Sequence, residues 1–500
     1  MRSSDAVGSL LIVVCVAIGL SAAAVDTRVI DAVKSGNAPA VASLLRQRVP
    51  VNAAEPDGST ALHWAARLGR VDIVQALLRA KADVNVANRY AITPLTLAAI
   101  NGSAEVVDLL LKAGADPNTT GADGETVLML AARTGRPEAV QLLIAKGANV
   151  NASEAWHGET ALMWAAAEDH AEVVALLAKG GADLNARSTI PEFPKVKVDA
   201  ATMVVTALPK GGFTALLLAA RQGAGNGVRA LAEAGADLNA SDPDGTTALN
   251  MAIINAHYDV AALLIEKGAN PNVGDSAGMT PLYAAIDMRH QEPLINRPLP
   301  RPSGRLLPLD VAKLLLEHGA EPNARLKTPL LMRQHNGGDP SLGEGATVLM
   351  RAAKVSDVIT MGLLLDKGAD PNLRLRNQGT ALMVAASRQG RNAGPEESTI
   401  AAMKLLIDKG ADPNLVNDNG ETALHIAVSR GDALVKFLAE NGARLDIKDK
   451  FGRTALDVAM GVPGGGGGGR GRGGRAAAPA GAGTVRESTA ALLKELMKVP

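Results

Sequence analysis

Cysteine is almost absent from these 500 residues: Cys15 is the only one. It lies in an apolar N-terminal stretch whose removal would leave no thiol at all, which excludes disulfides, cysteine nucleophiles and thiolate metal sites together. Aromatic residues are scarce as well, at 2% of the chain against 47% apolar residues overall, so a core has to be packed from Ala, Leu, Val and Ile. Neither sign of charge is in excess. A formal net charge of zero gives no support to a nucleic-acid surface or an anionic membrane partner.

Groupings that carry chemistry are missing too. The histidines at 157, 170, 257, 290, 318 and 335 are scattered, with no pair at metal-ligand spacing. No Gly-x-Ser-x-Gly nucleophile motif occurs. Asp242-Pro-Asp244-Gly245 resembles a fragment of a calcium loop, but the remaining ligands and the closing Glu are absent, so it reads as a turn. Gly223-Ala-Gly225-Asn-Gly227 follows no strand and precedes no phosphate-binding Lys, and reads as a loosened turn between helices. Nothing here implies a cofactor or a metal.

What the chain has is a repeat. The stretch Asn118–Asn151 reads as a turn tip at Asp123-Gly124, an apolar run opened by Thr126, a second run from Pro137 to Gly147, and Ala148-Asn-Val-Asn151. Copies opened by Thr-x-Leu fall at Thr60, Thr93, Thr126, Thr160, Thr214, Thr247, Thr280, Thr347, Thr380, Thr422 and Thr454, mostly 32 to 34 residues apart. A period in that range means a stacked array of supersecondary units, and such an array grows along one axis without splitting into globular domains.

Each piece of the unit has a physical task. The Thr hydroxyl caps free N–H groups at a helix start, and Thr93-Pro94 and Thr280-Pro281 add the Pro that suits the first helical position. In helix A of the first full copy, Leu62, Ala65 and Ala66 share a face, and the Ala pair lets a neighbour approach closely. A turn at Gly69 leads to helix B, Val71 to Arg79, with Val71, Val74, Leu77 and Leu78 forming an apolar stripe. Most copies then stop at Gly, among them Gly114, Gly147, Gly235 and Gly268, because a left-handed residue ends a helix cheaply only without a Cβ. Lys81 stands in that place in the first copy.

Thr-Ala-Leu-His63-Trp-Ala-Ala, Thr-Ala-Leu-His425-Ile-Ala, the Asp-Gly turn tips and endings such as Lys-Gly-Ala-Asp412-Pro-Asn414 resemble the ankyrin repeat, from about Asp26 to Met460. The resemblance implies an all-α solenoid of helix pairs with projecting β-turn fingers, and a concave face made of fingers and helix A. It also implies a non-enzymatic scaffold that binds another protein. His63 and His425 stand where this repeat usually has His, bonding back toward the turn backbone.

The array is expected over 25–460, with a degenerate cap at 26–57 and insertions at 188–210, 291–308 and 325–345. The first insertion stretches the Thr160 to Thr214 spacing to 54. A Gly-rich linker at 461–483, whose Arg470, Arg472 and Arg475 have no interleaved aromatics to stack bases, precedes a capping helix within 484–500. At the other end, 1–24 carries an uncharged apolar centre and the small residues Ala22 to Ala24, and reads as a secretory signal. A retained membrane anchor over 6–25 is the alternative, and would be the sole contact with a membrane. The expectation is an exported monomer, periplasmic or secreted.

The functional clues are residues that the repeat does not need. Asp marks the turn tip at Asp57, Asp123 and Asp244, but Tyr90, His157 following Trp156, and Phe451 replace it elsewhere. Exposed aromatics are frequent anchors at binding hot spots, so Trp156, His157 and Tyr90 lead the partner-binding candidates, joined by Phe451 and by Phe193 of the first insertion. The opposing reading is that each ring folds back onto a neighbouring finger. Trp64 and Trp164 lie inside helix A, where packing is the expectation. A second hypothesis, an enzyme or small-molecule site built from the insertions, differs in predicting complete loss of activity when they are deleted.

Overall fold

The opening threonines do what their spacing predicts. Thr126 is extended, at φ −85° and ψ 159°, and its hydroxyl accepts the Met129 N–H at 3.2 Å as the helix Val127–Arg133 begins. Thr93 and Thr280 do the same with Pro at the first helical position. The computed structural model describes residues 26–190, 211–290, 300–328, 342–387, 395–463 and 486–498. The apolar segment at 1–24, Phe193, most of the first and third insertions, half of the second and nearly all of the Gly-rich run lie outside these residues. Among the described residues no helix is long and apolar enough to cross a membrane.

The chain divides into two compact units, one ending at Thr119 and one beginning at Thr120. Among the described residues the first holds three helix pairs: Arg28–Lys34 with Ala38–Arg46, Ala61–Arg67 with Val71–Arg79, and Pro94–Asn101 with Ala104–Lys112. The second unit continues the pattern. Its pairs open with Val127–Arg133, Ala161–Ala167, Ala215–Gln222, Ala248–Ile254, Pro281–Arg289, Val348–Lys354, Ala381–Ser387, Ala423–Ala427 and Ala455–Ala459. The last of these packs against Glu487–Leu496, the expected capping helix. Strand structure among the described residues is limited to isolated antiparallel bridges at finger bases, such as Ala54 with Thr60 and Ser241 with Thr247.

Within each unit the core is the seam between successive pairs. Leu62, Ala65, Ala66, Val74 and Leu77 are buried in the first copy, and the equivalents Leu162, Ala165, Ala166, Val174 and Leu177 are buried in the Thr160 copy. Burying one such Leu contributes about 1.5–3 kcal/mol, repeated at every seam. His63 extends the expected contact. Its Nδ1 accepts the Thr60 N–H at 3.0 Å, and its Nε2 lies 2.9 Å from the Ile92 carbonyl of the next finger. Burial holds the ring below the ordinary imidazole pKa, which keeps it neutral in this role. Asn250 stands at the same position and donates to the Val273 and Met279 carbonyls at 3.3 and 3.2 Å.

A second link was not read from the sequence. Within a compact unit, the Asn that closes one copy joins it to the next copy: Asn151 accepts the Asp183 N–H at 2.8 Å and donates to the Gly181 carbonyl at 3.1 Å. The link survives the insertions. Asn185 reaches Asp237, Asn272 reaches Glu321 and Asn323 reaches Asp370, at 3.0, 2.7 and 2.8 Å. Each insertion is also pinned at its root. Ser188 and Phe213 close the neck of the first, and Leu326 exchanges bonds with Ala346 and Gly345 across the third. The described end of the second lies on helix B of the preceding copy, where Asp259 accepts the Arg305 and Leu306 N–H groups, each at 3.0 Å.

Two details correct or extend the sequence reading. The turn expected over Gly223 to Gly227 is confined to Gly223 and Ala224, because the helix Gly225–Ala234 already starts at Gly225. Asp169, of the previous copy, supplies its cap by accepting the Gly227 N–H and the Asn226 amide, both at 2.8 Å. A Cβ at Gly227 would meet the Ala166 carbonyl oxygen at 2.7 Å, so only glycine permits this approach. Elsewhere the seam carries buried charge. Arg351, at a helix A position held by Leu130 or Leu218 in other copies, pairs with Asp287 at 2.8 Å. Beside it Asp357 receives Arg289 at 2.7 Å and lies 2.9 Å from His290. Burial pushes the Asp357 carboxyl up, and the bonds from His290, Arg289 and Thr360 outweigh it and hold it far below the ordinary carboxylate range.

Two outcomes follow from these links. Asn323→Ala removes the bonds to Gly368 and Asp370 and should cost about 1–2 kcal/mol, read as a lower urea midpoint; an unchanged midpoint would remove the Asn link from the account. Lys81 holds a left-handed φ of 61°, where Gly114 has 93°. Lys81→Gly should therefore stabilise the first unit by roughly 1 kcal/mol, and an unchanged or lower melting temperature would count against it.

Candidate functional site

The fingers are short loops, and many of them owe their shape to one acceptor at the base. In five of them an Asp or Asn accepts two of the finger's own N–H groups. Asp275 receives Ala277 at 2.8 Å and Met279 at 3.0 Å, and Asp242, Asn88, Asn417 and Asp449 repeat the arrangement. The fingers also bond to one another. In the second unit Ala155 donates to the Asp123 carbonyl, Ser276 to Asp244, Asp418 to Asn377 and Lys450 to Asn419, at 2.8 to 2.9 Å. In the first unit Arg89 donates to the Asp57 carbonyl.

The finger that opens the Thr160 copy differs. Its bridge pairs Ser153 with Thr160, one residue further apart than Thr120 and Thr126, and the additional residue falls in the tip Ala155-Trp156-His157-Gly158. Glu154 stands where the five fingers above have Asp or Asn. Its longer side chain spans the longer loop, accepting the N–H groups of Trp156, His157 and Glu159 at 2.6, 2.8 and 2.9 Å. Glu154 is 6% exposed. Burial raises its carboxyl, and the three backbone bonds more than offset this, so it lies below the ordinary glutamate range and is ionised at neutral pH.

That buried carboxylate fixes a finger whose tip stands in solvent. Trp156 is 75% exposed, and the His157 ring lies beside it with centroids 5.9 Å apart, tilted by 53°. The opposing expectation, a ring folded onto the next finger, does not hold for Trp156. Thr189 donates to the His157 carbonyl and brings Ile190, 59% exposed, to the neighbouring finger. Ile190 had no signal in the repeat pattern. It is apolar at a place where only the loss of burial marks it.

The other candidates are placed separately. Tyr90 is 61% exposed on a finger of the first unit, shaped by Asn88. Phe451 lies many copies away from Trp156, and cations of its own finger flank its ring, Lys450 at 5.5 Å and Arg453 at 5.2 Å. Phe193 lies outside the described residues. Trp64 and Trp164 are half-buried within helix A, each with its indole N–H on a carboxylate: Glu55 at 2.7 Å and Glu159 at 2.8 Å. Arg133 covers the Trp164 ring at 5.0 Å, and Lys34 the Trp64 ring at 4.4 Å.

One contact bears on the insertion hypothesis. Ser303 Oγ lies 2.9 Å from His257 Nδ1, and the other ring nitrogen lies 3.0 Å from the Arg221 carbonyl. His170 makes the same brace to the Arg133 carbonyl, at 3.0 Å, in a copy without an insertion. The histidine thus belongs to the array, and Ser303 is an addition that secures the insertion to it.

Comparison with known proteins agrees with the geometry. A family model for Ankyrin repeats (3 copies) matches residues 29–121, 114–188, 216–295 and 395–462, and one for the single Ankyrin repeat matches 277–327 and 344–375. No curated protein matches the chain. Ankyrin repeats are generally protein–protein interaction modules. Together the matches cover more than half of the sequence, and the chain belongs to the ankyrin-repeat family.

Proposed function

We propose that the protein is an exported, non-enzymatic scaffold that grips another protein through the finger side of its array. The observation that carries this reading is Trp156, an indole standing in solvent on a finger whose backbone is already held by Glu154. Presenting an aromatic anchor in a fixed pose lowers the ordering cost of association. Tryptophan is also among the residues that most often dominate an interface. His157 and Ile190 widen the apolar surface, and Tyr90 serves the same purpose on the first unit. Phe451, flanked by its own cations, is a secondary contact. Export rests on the apolar segment at 1–24, with its small residues before 25.

Affinity purification with the exported chain, repeated with Trp156→Ala and Tyr90→Ala, tests this. Truncating a central anchor costs about 2 kcal/mol or more, so Trp156→Ala should reduce recovery of the partner more than tenfold at limiting concentration. Unchanged recovery with both variants overturns the choice of surface, and recovery of the chain from the cytosol alone overturns export.

A second outcome concerns acid. The carboxyl of Glu154 has a lower pKa in the folded finger than its ordinary 4.5, so its contribution to finger stability is fully present above that value. It is lost as pH falls through the depressed folded value. Hydrogen exchange at the Trp156 and His157 amides should therefore be slow at neutral pH, and should accelerate in Glu154→Ala by about tenfold or more after correction to the unfolded exchange rate. Equal protection in the two proteins would show that Glu154 does not hold the tip.

A further inference from the structure

Two consecutive fingers of the second unit carry an apolar side chain at the base position that is Asp, Asn or Glu in most other fingers, Gly121 in the Thr126 finger and Ser188 in the Thr214 finger. Asn323-Ala-Arg325-Leu326 and Asn372-Leu-Arg374-Leu375 carry Leu at that place, and both leucines are buried, at 2% and 7% exposure. The acceptor has been exchanged for apolar packing, and each finger has gained an arginine one residue earlier. That position holds Ala54, Thr120, Ser153 or Ser241 in other fingers, where it forms the antiparallel bridge with the opening Thr. The two changes act in the same direction on charge: neither base residue supplies a carboxylate, and each finger adds a guanidinium.

Arginine occurs at this place once more, and the contrast is informative. Arg187 is committed to the fold, its Nη1 donating to the Gly212 and Ser241 carbonyls at 2.9 and 2.7 Å. Arg374 has only the neutral Gln378 Oε1, at 3.2 Å. The Arg325 side chain makes no hydrogen bond or ion pair with another described residue. Both line one recess of about 500 Å³, together with Arg376, Glu344, Asn372 and Gln378. Arg376 reaches Glu344 at 3.0 Å across a pair whose side chains are 81% and 48% exposed. Three arginines thus line one recess with one acidic residue among them, in a chain whose net charge is zero.

We infer that this recess docks a carboxylate-bearing segment, an Asp- or Glu-rich stretch of a protein partner, as a second contact on the finger side. The inference rests on the protein-binding reading above and adds to it the chemistry of the partner. A planar guanidinium offers paired donors that match a carboxylate, and Arg374 has donors that Gln378 does not engage. Glu344 sets the discrimination. It lowers the net charge of the recess and disfavours a second acidic side chain beside it, while its loss would leave Arg376 free to join.

Fluorescence anisotropy with labelled hexaglutamate and the full chain tests this directly. At low ionic strength the peptide should bind, and added salt should weaken it. Arg325→Glu with Arg374→Glu should reduce affinity at least about tenfold, Glu344→Gln should increase it, and Lys179→Glu, on helix B of another copy, should leave it unchanged. The helical circular dichroism signal checks that each variant folds, and Arg374→Gln supplies a milder change should the double reversal not fold. Unchanged affinity in the arginine variants, an equal loss in Lys179→Glu, or equal binding of hexalysine overturns the inference. Hexaglutamate binding in Trp156→Ala keeps the two readings apart. If it persists while partner recovery is insensitive to Trp156, the fingertip reading alone fails; if it is absent while recovery depends on Trp156, the recess alone fails.

Discussion

Within each compact unit, one asparagine side chain, reaching forward from the end of a copy to the backbone of the next, sets the spacing on which the stack depends. Its amide both donates and accepts, so a single residue satisfies the carbonyl of the helix-ending glycine and an N–H just beyond it, as Asn372 does with Gly410 and Asp412. Backbone groups at a helix end need such partners. Because the partners are main-chain atoms, the link is indifferent to what side chains lie nearby. It is also indifferent to chain length between copies: Asn272 and Glu321 are 49 residues apart and keep the contact that Asn151 and Asp183 make across 32. Loop closure becomes costlier only slowly with length, so an insertion rooted beside an intact link costs the stack little.

The same economy explains why variation gathers at the fingers. A finger needs a fixed backbone, and one acceptor at its base provides it, leaving the tip residues without a structural duty. Asp275 and Asn417 hold fingers of ordinary length, and Glu154 holds one that is a residue longer by adding a methylene. Leu326 and Leu375 solve the problem differently, by packing, and the charge balance of the surface shifts as a result. Binding character at the surface is thus coupled to how each finger is held underneath.

The helices, their starting threonines and their terminal glycines were legible in the sequence, because each rests on a local pattern within one copy. The links between copies were not. Asp169 capping the helix at Gly227, His63 reaching Ile92, and Arg351 meeting Asp287 join residues that no local pattern pairs. Reading Gly223 to Gly227 as a turn failed for that reason: three glycines argue against a helix unless a neighbour supplies the cap. At the site, Trp156 and His157 stood out as departures from the repeat. Glu154 did not, since a carboxylate near a turn looks ordinary until its three N–H partners are seen. Ile190 was equally silent, as an aliphatic residue carries no sign of which side of the chain it faces.

The buried pair of Arg351 and Asp287 shows how far a stacked array tolerates exceptions. Removing two charges from water is expensive, and such a pair seldom stabilises more than an apolar pair of the same volume. Yet it stands where Leu130 and Leu218 pack in other copies, at the seam beside the second insertion. A charged pair is far less tolerant of mispairing than leucine, because either partner left alone in the seam costs several kcal/mol. In a chain of near-identical copies, where one leucine seam can substitute for another, that intolerance distinguishes this seam from its neighbours. Asp357, held in its ionised form by Arg289 and His290, adds a second constraint of the same kind. Register at the place where the repeat is most interrupted is therefore specified by charge, and the surrounding seams are free to rely on volume alone.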